Sequence, residues 1–260
     1  MMPVHFSRYV AIGDSSTEGL DDPDGAGGYR GWSLRLAERI AAGQDSLLHA
    51  NLGVRGRRTR QIRDGQLPRA VAMRPDLATV FSGTNDVIAL RFDVSEVAAD
   101  MEHMQRELIA AGATVLTFTL PDLTPVMPLA RVFAPRILAL NEALRGVVAR
   151  TGAVLVDFAA HAVATDARLW SPDRLHANSA GHARIAEALA AALCLPGTDD
   201  SWQSELPARP SASRAAWLRG EIRWGGRYLL PWVVSALTGA RKERKRQPPR
   251  PELVELRGSE

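Results

Sequence analysis

Residues 8–15 read RYVAIGDS, and this stretch decides the fold. The short apolar run from Tyr9 to Ile12 closes on Gly13, a pattern that predicts a buried strand ending in a turn. Working outward, the same pattern recurs. Strands are expected at 47–52, 77–82, 114–119 and 153–157, where β-branched and apolar residues cluster. Between them lie stretches with helical spacing at 32–42, 95–111, 132–151 and 179–195. Ser95 and Ser179 are candidate N-caps, and Pro135 sits near a first turn, where proline is tolerated. Strands alternating with helices predict right-handed βαβ units around a parallel sheet. Ligands of such sheets sit at the carboxyl ends of the strands.

That rule gives meaning to four short blocks. Gly13-Asp14-Ser15 follows the first strand, Asn51-Leu52-Gly53 the second and Gly83-Thr84-Asn85-Asp86 the third. Asp173-Arg174-Leu175-His176 lies in the loop before the last helix and can return to the same sheet edge. A serine hydroxyl is a weak nucleophile until a base takes its proton. Histidine does this near neutral pH when a carboxylate holds its other ring nitrogen. Asp173 and His176, three residues apart in a turn, suit that pairing, with Ser15 as the hydroxyl. The backbone amides of Ser15 and Gly53 and the side chain of Asn85 are candidate donors to an oxyanion.

In these residues the chain resembles the SGNH hydrolases, also called the GDSL esterase/lipase family. The likeness spans about residues 8–195, with all four blocks in the family's order. It implies a flavodoxin-like three-layer α/β/α sandwich with about five parallel strands. It also implies Ser15 as nucleophile, His176 as base, Asp173 as its orienter, and Ser15, Gly53 and Asn85 as the oxyanion hole. No metal or organic cofactor is expected. Two positions depart from the family pattern: Ser16 stands where the family name has leucine, and Thr84 where glycine is frequent. Neither removes a catalytic group. The Gly-x-Ser-x-Gly elbow of α/β-hydrolases is absent, which disfavours that other serine-hydrolase fold.

Each block has a blander reading. Ser15 alone would be a loop or cap residue, and the Asp173–His176 pair alone a helix entry with a surface histidine; the ordered set favours chemistry. His182 lacks a third ligand at metal-binding spacing and reads as structural or solvent-facing. Asp14 reads as a helix cap and Asp86 as a loop support. Asp157 also ends a strand, but Asp173 is preferred as the acid. Arg55, Arg57, Arg58 and Arg60 read as a solvated cationic loop, or more sharply as an attractor for an anionic ester or thioester. Met127, Leu129 and Phe133 are candidate pocket residues.

Composition bounds the remainder. The 260 residues, 46% hydrophobic and 23% charged, are ordinary for a globular protein. The single cysteine, Cys194, excludes an intramolecular disulfide and a cysteine zinc cluster; its apolar surroundings predict burial. Residues 1–208 hold 20 arginines against 24 acidic residues, a net of −4, whereas residues 209–260 carry +7. The only lysines are Lys242 and Lys245, so the main domain has no lysine for a phosphate loop. The first residues offer no apolar stretch of signal length, and no run approaches the ~20 residues of a spanning helix, so a cytoplasmic location is expected.

Two regions are expected: a catalytic domain over 1–196, then a linker and a basic extension over 197–260 holding Trp217, Trp224 and Trp232. The extension reads by default as an extra helix packed on the domain, and its Pro-rich end as disordered. The alternative is an anchor that brings residues 215–246 to an anionic membrane surface and makes the protein peripheral there, although Gly225, Gly226 and Pro231 interrupt any single amphipathic helix. Nucleic acid is not an expected partner. The expected activity is hydrolysis of a small-molecule ester or thioester, with acyl transfer by the same triad, or an inactive binding protein of the same fold, as the competing readings.

Overall fold

The computed structural model describes residues 5–208, 214–231 and 246–258, without the side chains of 214–217 and 229. Trp232, Val233, residues 241–245 of the charge run and the Trp217 side chain lie outside this set. In chain order the larger elements are β1 (Arg8–Gly13), α1 (Ser15–Glu18), α2 (Gly31–Ala41), β2 (Ser46–Asn51), α3 (Thr59–Gly65), α4 (Leu67–Ala72), β3 (Leu77–Phe81), α5 (Thr84–Val87) and α6 (Val94–Ala110). They continue through β4 (Thr114–Phe118), α7 (Ala134–Thr151), β5 (Val154–Val156), α8 (Ser179–Ala192), α9 (Arg214–Trp224) and β6 (Arg250–Arg257).

The sheet order is β5-β4-β3-β1-β2-β6. The first five strands are mutually parallel, in the α/β arrangement expected, and β6 runs antiparallel beside β2. The chain leaves β1 to one side for β2 and returns to the other side for β3. This reversal opens a crevice between the carboxyl ends of β1 and β3, where ligands of such sheets bind. The core packs on both faces of this sheet. Tyr9, Trp32, Leu36, Leu77, Met101 and Leu116 are among its fully buried side chains.

Four expectations change in the structure. Helix α6 is capped by Asp93, whose carboxylate accepts from the amides of Ser95 and Glu96, so Ser95 lies inside the helix. Helix α8 is capped by Asn178 in place of Ser179. It ends at Ala192, which leaves Cys194 beyond it at φ +54 and exposed, not buried. The expected disorder of the Pro-rich end fails at residues 250–257, which form β6. Its burial recurs every third residue rather than every second, and its register against β2 shifts between His49 and Asn51.

Residues 197–208 wrap the domain: Trp202 is buried, edge-on to Phe158 at 5.6 Å. Leu253 and Leu256 of β6 pack on the core beside buried Leu47 and close the open edge of β2. Ending the chain at residue 249 is expected to cost about 2–5 kcal/mol, from the apolar area uncovered. A urea-unfolding midpoint equal to that of the full chain would show that β6 contributes no stability.

Candidate active site

Ser15 opens α1 immediately after β1. The turn is pinned from behind: the Gln66 side chain accepts from Gly13 N at 2.8 Å and donates to Gly13 O at 2.9 Å. Gly13 is required for close approach, since a Cβ there would lie 2.1 Å from Thr17 Oγ1 and 2.5 Å from Phe81 O. Asp14 caps α1 by accepting from Ser16 N at 3.0 Å. Burial pushes its carboxyl up to about 6, against the opposing pull of the Ser16 amide, the His176 charge and the Asn85 amide. The expected capping role of Asp14 is therefore present, and Asp86 likewise holds a loop, accepting from Thr59 N and Oγ1.

The loop before α8 is fastened at both ends. Trp170 and Ala177 form an antiparallel bridge, and Ser171 N donates to His176 O at 2.8 Å. Asn178 caps α8 with its carbonyl while its amide donates to Arg168 O and Trp170 O. Within the loop, Asp173 Oδ1 accepts from the amides of Leu175 and His176, and Asp173 Oδ2 meets His176 Nδ1 at 2.6 Å. His176 Nε2 then lies 2.9 Å from Ser15 Oγ. With Nδ1 donating to Asp173, Nε2 is the acceptor for the serine hydroxyl.

Electrostatics follow from this contact. Burial alone lowers the His176 pKa, but the hydrogen bond and charge of Asp173, aided by Asp21 and Asp14, raise it above the ordinary value. Burial alone raises the Asp173 pKa, and its bonds to His176 and to the Leu175 and His176 amides carry it below the ordinary range. Asp21 lies close enough to make a potential three-ligand cation set with Asp173 and His176. Both ring nitrogens of His176 are already committed, Nδ1 to Asp173 and Nε2 to Ser15. His182 is structural: buried, it accepts from Trp32 N through Nδ1 and donates from Nε2 to Leu20 O. Asp157 is bound to Arg145 and Thr119, apart from Ser15.

Ser15, Asn85 and His176 border a cavity of about 440 Å³ with mostly apolar walls. Phe81 and Phe118 stack at 4.1 Å and Phe158 meets Phe118 edge-on at 5.3 Å, so three aromatic rings line one side. Met127 and Phe133 line it as expected, while Leu129 is 52% exposed and does not. Arg246, the last residue of the basic run, also borders it.

The second block departs from expectation. Gly53 does not line the cavity, and its amide donates to Asn51 Oδ1 at 2.9 Å. Its missing side chain serves packing: a Cβ would lie 2.7 Å from Glu18 N and 2.9 Å from Thr17 C. Gly56, at φ +80, lines the cavity instead. Nothing in the run RGRRTR marks it out beyond being glycine. Asn85 Nδ2 donates to Arg57 O at 3.0 Å and Asp14 Oδ2 at 3.2 Å. The arginines nearby are not simply solvated. Arg55 pairs with Glu18 and lies over the Tyr29 ring, and Arg60 pairs with Asp100 at 2.7 Å.

The sequence profile of the GDSL-like lipase/acylhydrolase family matches residues 11–184. The chain belongs to this family. It is accordingly a hydrolase acting on ester bonds, and the matched stretch includes Ser15, Asp173 and His176. No curated protein matches it in sequence. Solved structures of similar fold include TesA (22% identity, TM-score 0.60), which covers 72% of this chain and 98% of its own. An acetylxylan esterase from Geobacillus stearothermophilus, solved as a catalytic mutant, is 18% identical with TM-score 0.60, over 76% of this chain and 100% of its own. The esterase EstA from Pseudoalteromonas sp., inhibited by monoethylphosphonate, is 17% identical with TM-score 0.58, over 72% and 97%. Among the described residues no helix is long and apolar enough to cross a membrane.

A family member with a Gly53→Ala change is expected to lose about 1–3 kcal/mol of stability, the usual cost of overpacking. Thermal unfolding that matches the unsubstituted chain would show that α1 can shift away from position 53 without penalty.

Proposed function

We infer that the chain is a serine esterase in which Ser15 carries the acyl group. One observation carries the reading: the continuous contact from Asp173 through His176 to Ser15 at the mouth of an apolar cavity. Ser15 Oγ attacks the ester carbonyl while His176 Nε2 takes its proton, and Asp173 steadies the resulting imidazolium. The tetrahedral intermediate collapses as His176 returns the proton to the leaving alcohol or thiol. Water then attacks the acyl-enzyme, again deprotonated by His176, and the acid leaves. No step draws on a metal or an organic cofactor.

The developing oxyanion takes donors from the Ser15 amide, the Gly56 amide and Asn85 Nδ2. Gly56 replaces Gly53 in this role because its backbone borders the cavity, whereas the Gly53 amide is spent on Asn51. Asn85 exchanges its longer contact, the one to Asp14, for the oxyanion. Removing such a donor commonly costs ~10²–10³ in rate.

The aromatic and aliphatic walls favour an acyl chain longer than acetyl, because each buried methylene contributes about 0.8 kcal/mol. The test is a series of chromogenic acetate, butyrate, hexanoate and octanoate esters on the unsubstituted chain and Ser15→Ala. The expected outcome is kcat/KM rising beyond acetate and a loss of at least ~10⁴ in Ser15→Ala. Hydrolysis retained in Ser15→Ala would exclude the serine mechanism, and a flat or falling series would exclude the acyl site.

A further inference from the structure

The family profile ends at residue 184, and α9 lies well beyond it. Yet α9 docks on the loop that carries the acid–base pair. Trp224, 8% exposed, donates its indole N–H to the backbone carbonyl of Asp173 at 3.3 Å. Glu221, three residues earlier and so on the same helix face, binds Arg174 in a two-pronged pair at 2.8 and 2.7 Å. The Arg174 guanidinium lies over the Trp224 ring, 4.8 Å from its centroid, which closes the triangle.

Arg174 is the residue that matters in this contact. It follows Asp173 directly and holds φ +63, a left-handed conformation that a long side chain adopts only when its surroundings impose it. Asp173 folds back at this turn, its Oδ1 on the amides of Leu175 and His176 and its Oδ2 on the imidazole. The strained residue is thus the one that α9 grips. Within the loop itself, the Arg174 amide donates to Ser171 O.

We propose that α9 is a clamp on the catalytic acid: Glu221 and Trp224 hold the turn at Arg174 and thereby fix Asp173 against His176. Both are positioning residues, acting through Asp173, and the proposal rests on the Ser15–His176–Asp173 reading. The charged and titratable groups facing His176 are Asp173, Asp21 and Asp14, with His182 behind it. The Arg174 charge is directed to Glu221. When the clamp loosens, the Asp173 contact weakens and His176 gives up its proton at lower pH.

The test uses the full chain with Trp224→Phe, which keeps a ring under Arg174 but lacks the N–H, and Glu221→Gln, which keeps size but loses charge. Ile222→Ala, at an exposed position of the same helix, is the control. Two quantities are measured: the titration midpoint of His176 by NMR, and kcat and KM on a chromogenic ester. The expected result is a midpoint shifted to lower pH and kcat reduced about tenfold in each clamp variant, with KM and the control unchanged. An unmoved midpoint in both clamp variants overturns the proposal, whether or not kcat falls, since a fall alone is general structural loss. A shifted midpoint in a chain that hydrolyses no ester would uphold the clamp and defeat the esterase reading.

Discussion

A serine hydroxyl is useful as a nucleophile only if a base waits within hydrogen-bond reach, and here that reach spans nearly the whole fold. His176 Nε2 meets Ser15 Oγ at 2.9 Å although 161 positions separate them in the chain. Ser15 is fixed by the first strand, by Gly13 packed against Thr17 and Phe81, and by Gln66 gripping the Gly13 backbone. His176 is fixed by a loop fastened at Trp170–Ala177 and capped into α8 by Asn178. The sheet between them sets the distance, and the crossover between β1 and β3 leaves the crevice in which the contact forms.

The polar surroundings divide into groups that serve the contact and groups that only hold the frame. Asp14, Asp21 and Asp173 all favour a protonated imidazole, offsetting the cost of burying it. The Asp22–Arg35 and Asp100–Arg60 pairs lie among scaffold elements and bind the outer helices. Part of the cationic stretch after Gly53 belongs to this second group, since Arg55 and Arg60 are each committed to an acid. The anionic-substrate idea therefore loses two of its four arginines.

Much of this was legible in residues alone, for physical reasons. The five parallel strands announce themselves as apolar and β-branched runs because strands buried on both faces need little polar alternation. Ser15, Asn85, Asp173 and His176 stand out because each falls where a strand or loop reaches the same sheet edge. What escaped depended on three-dimensional contact. β6 reads as charge and proline because two of every three of its residues face solvent. Gly53 and Gly56 are indistinguishable in a string, and only the Asn51 side chain and the cavity wall separate their roles. The caps on α6 and α8 each fall outside the serine expected, because Asp93 and Asn178 reach the first-turn amides. The grip of Glu221 and Trp224 on Arg174 joins segments with no shared pattern.

The central claim, that His176 activates Ser15, is tested most directly by covalent labelling. The chain would be incubated with an alkyl fluorophosphonate, digested and mapped by mass spectrometry, beside His176→Ala. The account predicts one phosphonyl adduct on the peptide containing Ser15 and little or none in His176→Ala. Equal labelling of Ser15 in both proteins, or an adduct on a different serine, would contradict it.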